Sequence, residues 1–174
     1  MGSPVPDQLT LAHNRDREGK RELPWRRAGV VLVVAFLGAG LANAFGQRPK
    51  TSVAGVEEAT LKVYSPMHVR AGLYYEARFT IHALHELKDA SLVLSTGWLE
   101  GITLNTVEPS PVGESSRDGS RAFDLGHIRA GDKYVFFLHF QVNPTNVGRR
   151  AQNVELYDGE RRLLTIHRRV TVFP

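Results

Sequence analysis

A chain of 174 residues, 42% of them hydrophobic, has room for one domain of ordinary size plus an appendage. The absence of cysteine excludes disulfides, iron–sulfur clusters, thiolate zinc sites and any cysteine nucleophile, so a packed core has to supply the stability. The formal net charge of +4 admits nucleic acid, an anionic membrane surface or solubility alone.

The charge has two local sources. Arg15, Arg17, Lys20, Arg21, Arg26 and Arg27 precede an apolar run, and Arg149, Arg150, Arg161, Arg162, Arg168 and Arg169 lie toward the other end. Residues 1–27 are rich in Pro, Gly, Asp and Arg and show no amphipathic period. They read as a disordered basic cytoplasmic tail, its cations close to anionic headgroups. This topological explanation of the first cluster removes the need for a nucleic-acid partner.

Residues 28–46 read as a transmembrane signal anchor. Ala28 to Phe45 carries no charge, and at a helical rise of 1.5 Å such a run is about 27 Å long, enough for a bilayer core. Trp25-Arg26-Arg27 on one flank, against Arg48 and Lys50 on the other, place the N-terminus in the cytoplasm and the rest of the chain outside. Ala42-Asn43-Ala44 has the small-x-small form of a signal-peptidase site, which keeps a cleaved leader open as an alternative. Arg26-Arg27 is a partial match to a twin-arginine signal. Ala35, Gly38, Ala39 and Ala42 share one helix face at spacings that permit close helix–helix packing.

Residues 47–57 read as a polar stalk, and 58–174 as an extracytoplasmic domain of strands. Leu73, Tyr75, Ala77, Phe79, Ile81 and Ala83 alternate with polar residues, the pattern of a half-buried strand. Shorter runs start at Leu61, Leu92 and Ile102. Lys133 to Asn143 is apolar on one face and partly on the other, as for a central strand covered on both sides over part of its length. Val154 and Leu156 lead into Asp158-Gly159, a favoured hairpin turn, and a last strand runs through Leu164, Ile166, Val170 and Val172. The fold class expected is all-β: an immunoglobulin-like antiparallel β-sandwich of seven to eight strands in about 120 residues, preceded by one transmembrane helix.

Phe123-Asp124-Leu125-Gly126-His127-Ile128-Arg129-Ala130-Gly131-Asp132, followed by an aromatic strand, resembles a turn of bacterial surface Ig-like repeats of the conserved-repeat and CARDB types. Trp98 to Thr103 and Pro109-Ser110-Pro111 resemble a further segment of those repeats. The resemblance implies a corner between two strands, with Leu125 and Ile128 inward and Gly131 permitting the turn. It implies fold, and only loosely a role in binding. The layout of basic tail, single span and one such domain is also similar to that of small actinobacterial membrane proteins, which favours a bacterial envelope.

Candidate sites are few. His82 and His85 are three apart, which on a strand sends them to opposite faces, and His127, His139 and His167 belong to other elements. Serines 110, 115, 116 and 120 lie in what reads as a mobile Pro/Gly/Ser loop without a nucleophile elbow. Glu100, Glu108, Glu114 and Asp118 read as solvated rather than as an acid pair. The outward members of the arginine pairs, taken as Arg150, Arg162 and Arg169, make either a basic stripe or an edge kept soluble by charge. Trp98 and Leu99 after Gly97 are either a core plug or an exposed anchor for a partner. Asn143 to Gly148 is a turn cluster at an end of the sandwich.

No catalytic residue, metal ligand or cofactor is expected. The reading is a non-enzymatic, membrane-anchored envelope protein whose exported sandwich meets another membrane or envelope protein, as an accessory subunit of a membrane complex. The alternatives are a ligand or metal carrier, and a secreted adhesin-like domain released by cleavage.

Overall fold

A computed structural model describes residues 12–42 and 46–174. The chain divides into two units, Met1–Phe45 and Gly46–Pro174. The first contains one helix, α1, Ala12–Leu41. The helix begins fifteen residues before the expected end of the tail, so 12–27 are helical rather than disordered; 1–11 lie outside the described residues. Pro24 sits inside the helix, where it withholds one backbone donor. From Pro24 the helix is apolar over the 18 residues to Leu41, none of them buried, and is long and apolar enough to cross a membrane. This window lies four residues N-terminal to the expected start at 28 and takes in Trp25, Arg26 and Arg27. Asn43 and Ala44, part of the cleavage motif, lie outside the described residues.

The second unit holds thirteen strands among the described residues. They are β1 Pro49–Gly55, β2 Ala59–Pro66, β3 His68–Arg70, β4 Tyr74–Ala83, β5 Leu87–Leu94, β6 Ile102–Glu108 and β7 Gly113–Arg117. Then follow β8 Ser120–Ile128, β9 Lys133–Val142, β10 Gly148–Ala151, β11 Val154–Asp158, β12 Arg161–Ile166 and β13 Arg169–Phe173. One five-stranded sheet runs β1-β2-β4-β9-β6, the other β12-β11-β5-β8-β7, and a three-stranded sheet runs β10-β13-β3. Every pairing is antiparallel except β13 with β3.

Period-two alternation explains the burial. On β4, Tyr75, Ala77, Phe79, Ile81 and Ala83 are buried; on β9, Phe136, Leu138, Phe140 and Val142 are. The inner faces of both five-stranded sheets meet in one core, where Phe123 of β8 lies 5.3 Å from Phe136 of β9 between ring centroids. Each such side chain contributes about 1.5–3 kcal/mol by leaving water. The architecture is therefore a predominantly antiparallel β-sandwich.

The expected corner lies between β8 and β9, which belong to opposite sheets. Leu125 and Ile128 are each 4% exposed. Gly131 takes φ +86, and its N–H donates to the Ala83 carbonyl at 2.7 Å.

Five expectations are corrected here. The stalk at 47–57 is mostly β1, an edge strand in register with β2. The loop around Ser115 and Ser116 is the β7–β8 hairpin, turning at Asp118-Gly119 with φ of 50 and 74. Leu73 precedes β4 and is exposed. The strands number thirteen among the described residues rather than seven to eight. The last strand is two, β12 and β13, in different sheets, broken at His167 and Arg168.

Candidate functional site

Trp98 is the core plug, not the anchor. It is fully buried in a single 3-10 turn at Thr96–Trp98, its ring 5.5 Å from both Phe79 and Phe140. The indole N–H donates to the Asn153 carbonyl at 3.1 Å, satisfying the one polar atom that burial endangers. Leu99 is partly buried against the same core. Trp98 presents no free surface to a partner, whereas Leu99 keeps part of its surface and lines an open concavity with Thr96, Glu100, Ser115 and Arg121.

The arginines divide by their partners. Arg150 is engaged within the loop end: its Nε lies 3.1 Å from Glu100, and it donates to the Asn146 side chain at 3.0 Å. Asn146 in turn donates to the Glu100 and Gly101 carbonyls, so the 143–148 turn cluster is fastened to the loop before β6. Arg162 pairs with Glu155 at 3.4 Å, and Arg161 with Glu58. Arg168 is 5% exposed. Only Arg169 among the expected outward members is exposed without an ion pair among the described residues; its companion is Arg149 rather than Arg150. The turn before β10 sets the strand's phase one residue away from the expected one, which disperses the stripe as first read.

The helix-face residues Ala35, Gly38, Ala39 and Ala42 lie along the end of α1, with Ala42 one residue past it. A Cβ added at Gly38 would meet nothing within 4 Å.

One concave feature of the sandwich is a polar cleft with about 180 Å³ of space on the outer face of the β12-β11-β5-β8-β7 sheet. Outward-facing Val93 and Tyr157 line it and pack with Ala122 in a small apolar cluster. The Arg117 guanidinium lies 4.3 Å above the Tyr157 ring. It also donates to the Gly159 carbonyl at 3.2 and 3.3 Å and to Glu160 at 3.1 Å. The β7–β8 hairpin is thereby tied to the β11–β12 turn. The Tyr157 hydroxyl donates to Glu155 at 2.8 Å; burial, then this hydrogen bond to a carboxylate, raises the phenol's pKa. A phenol so held is a protonated donor at neutral pH rather than a base. Ser95 is engaged as well, donating to the Ala151 carbonyl and accepting from the Asn153 N–H. The arrangement can bind a polar group at its rim, but its own donors and acceptors largely satisfy one another.

His127 pairs with Glu86 at 2.8 Å and His139 with Glu76 at 3.5 Å, both exposed. His82 stands on β4 opposite Lys133, and His85 lies beyond the strand's end. No group of three His, Asp or Glu residues among the described residues has metal-binding geometry. Among the four carboxylates, Glu114 pairs with Arg121 and Glu100 with Arg150.

No family model matches the sequence, and no curated protein matches it either. Among solved structures, the CARDB domain of a Pyrococcus furiosus protein in complex with di-metal ions aligns at 12% identity and a TM-score of 0.41, over 72% of this chain and 89% of that one. The C-terminal domain of wzt aligns at 12% identity and a TM-score of 0.40, over 74% and 81%. A PapD-like domain of human CEP192 aligns at 13% identity and a TM-score of 0.34, over 71% and 96%. At these scores the likenesses carry no argument about activity or ligand, and the β-sandwich rests on the strand pairing and core described above.

Sequence reasoning missed the cleft residues Arg117, Glu155 and Tyr157. The available signal was Asp118-Gly119, the same hairpin dipeptide as Asp158-Gly159. Reading both turns would have put Arg117 and Tyr157 on hairpins of one architecture, though not in contact.

Proposed function

We infer that the chain is a non-catalytic envelope protein, held in the membrane by α1 with its N-terminus in the cytoplasm and an immunoglobulin-like sandwich outside. It works by being kept against another membrane or envelope protein, as an accessory subunit. The observation that carries this reading is the apolar window Pro24–Leu41, none of it buried, ahead of a sandwich that closes its own core. A helix of that composition has no aqueous resting place, whereas the sandwich has no unburied core of its own to cover. The small residues Ala35, Gly38, Ala39 and Ala42 supply a close-packing face for a partner helix.

Crosslinking the tagged full-length protein in its native membrane, followed by mass spectrometry, tests this. The expected outcome is a reproducible membrane protein partner that is lost when the Pro24–Leu41 segment is replaced by polyleucine. Capture of no protein by either version contradicts the accessory-subunit reading.

A further inference from the structure

The outward face of the three-stranded sheet collects cations and no carboxylates. On β13, Val170 and Val172 are buried, so Arg169, Thr171 and Phe173 face out. Antiparallel β10 sets Arg149 opposite Thr171 and Ala151 opposite Arg169. Parallel β3 sets His68 beside Thr171 and Arg70 beside Phe173, with Val69 between them buried. Arg70, Arg149, Arg169, His68 and Phe173 therefore share one exposed face. The His68 ring stacks on Phe173 at 5.8 Å, and Phe173 is 47% exposed. None of the three strands contains Asp or Glu.

The contrast with the other arginines is informative. Arg117, Arg121, Arg150, Arg161 and Arg162 each pair with a glutamate, whereas Arg70, Arg149 and Arg169 join no ion pair among the described residues. The face also adjoins the beginning of the second unit's own first strand. Pro49 pairs with Pro66 and Lys50 with Ser65, and β3 begins two residues after Pro66. Arg168, immediately before β13, donates to the Lys50 carbonyl at 3.2 Å.

We propose that the Arg70–Arg149–Arg169 face docks on a bilayer carrying anionic headgroups, with Phe173 entering the headgroup layer. Three guanidiniums without internal partners match phosphate oxygens, which they bind by paired N–H donors. An exposed aromatic among cations suits the boundary between water and lipid better than it suits a soluble polyanion. The proposal rests on the anchored reading, because α1 is what holds the domain near lipid.

The test uses the full chain, whose lack of cysteine allows a single label. Ala151→Cys, exposed on the same face, carries a fluorophore, and the protein is reconstituted in nanodiscs with brominated lipid. One set is phosphatidylcholine alone and the other contains phosphatidylglycerol. Quenching is expected in the anionic discs, weak in the zwitterionic ones, and lost at high salt. Replacing Arg70, Arg149 and Arg169 by Gln should lower the docked-to-free ratio on the order of 100-fold, since each arginine near an anionic surface contributes about a factor of five. The matching Lys variant, with unchanged thermal unfolding, should retain docking.

Equal quenching in both lipids, or an unaffected Gln variant, overturns the proposal. So does a label that responds to a soluble anionic polymer and not to anionic discs. A face that only keeps the β3 and β10 edges from pairing would show no lipid-dependent quenching, with the same consequence. Retention in the discs through an alkaline wash reports on the anchor separately. A retained chain without quenching leaves the anchor standing and ends the docking. A chain that is not retained ends the anchor, and its response to added phosphatidylglycerol vesicles still decides the face.

Discussion

Arg168 donates twice to Ser65, to its carbonyl oxygen at 2.8 Å and to its hydroxyl at 3.1 Å. The same guanidinium reaches the Val63 carbonyl at 3.1 Å, the Ser52 hydroxyl at 3.0 Å and the Lys50 carbonyl at 3.2 Å. One buried cation thus fastens β1 and β2 to the break between β12 and β13. Its partners are neutral oxygens, and burial lowers its pKa.

Removing Arg168 strands several buried acceptors at once. Arg168→Ala should destabilise the fold by about 3 kcal/mol, and Arg168→Lys by about 2 kcal/mol, because an ammonium cannot span both strands. Denaturant unfolding of the detergent-solubilised chain measures the loss. Amide exchange should rise first in β1, whose attachment depends on these bonds.

Tyr75 gives the domain an alkaline limit. It is 5% exposed, its hydroxyl accepts from the Gln152 side chain at 3.2 Å, and burial pushes its pKa well above the ordinary phenol. A group whose folded pKa is raised contributes fully below its unfolded value and loses that contribution as pH climbs toward the folded value. Tyr134 and Tyr157 shift in the same direction, so stability should fall from about pH 10 upward. Tyr75→Phe should flatten the alkaline slope while lowering stability at neutral pH, as followed by unfolding across a pH series.

Particular residues show what was legible in the sequence. β4 and β9 declared themselves because Phe79, Ile81, Phe136 and Phe140 keep strict period two. The β8–β9 corner was expected from the resemblance of Phe123–Asp132 to a repeat turn, and the positive φ of Gly131 supplies its physical reason. β1 and β7 were hidden: both are edge strands, and PKTSVAG and GESSR have backbone pairing without an apolar face. The β12–β13 break was hidden for the opposite reason. Leu164, Ile166, Val170 and Val172 stay in phase across it, and Arg168 occupies an inward position of that same phase. Alternation therefore forecasts a buried Arg168 without revealing its oxygen partners, which come from sequence positions more than 100 residues away. The basic face was illegible because it joins β3, β10 and β13 by pairing that no local pattern encodes.

Trp98 fills the middle of the aromatic cluster. Trp98→Ala should cost about 3–5 kcal/mol through the cavity it leaves. Trp98→Phe should cost less and leave the Asn153 carbonyl without its indole donor. The ring's full burial also predicts blue-shifted Trp98 emission that moves to the red on unfolding, read in a Trp25→Phe background.

Gly97 permits the close approach of the 3-10 turn to β10. A Cβ there would run into the Ala151 carbonyl oxygen, a backbone atom with little freedom to yield. Gly97→Ala should therefore destabilise by about 2 kcal/mol or more despite its small size. Thermal unfolding beside Gly119→Ala, whose Cβ would meet nothing within 4 Å, separates collision from backbone strain at positive φ.

The retained anchor is tested most directly by the N-terminal sequence of the mature protein from membranes washed at alkaline pH. The account predicts that the protein stays in the membrane and begins upstream of Pro24, with Pro24–Leu41 intact. A mature chain released from the membrane and starting at Phe45, after Ala42-Asn43-Ala44, would contradict it and leave a secreted sandwich in its place.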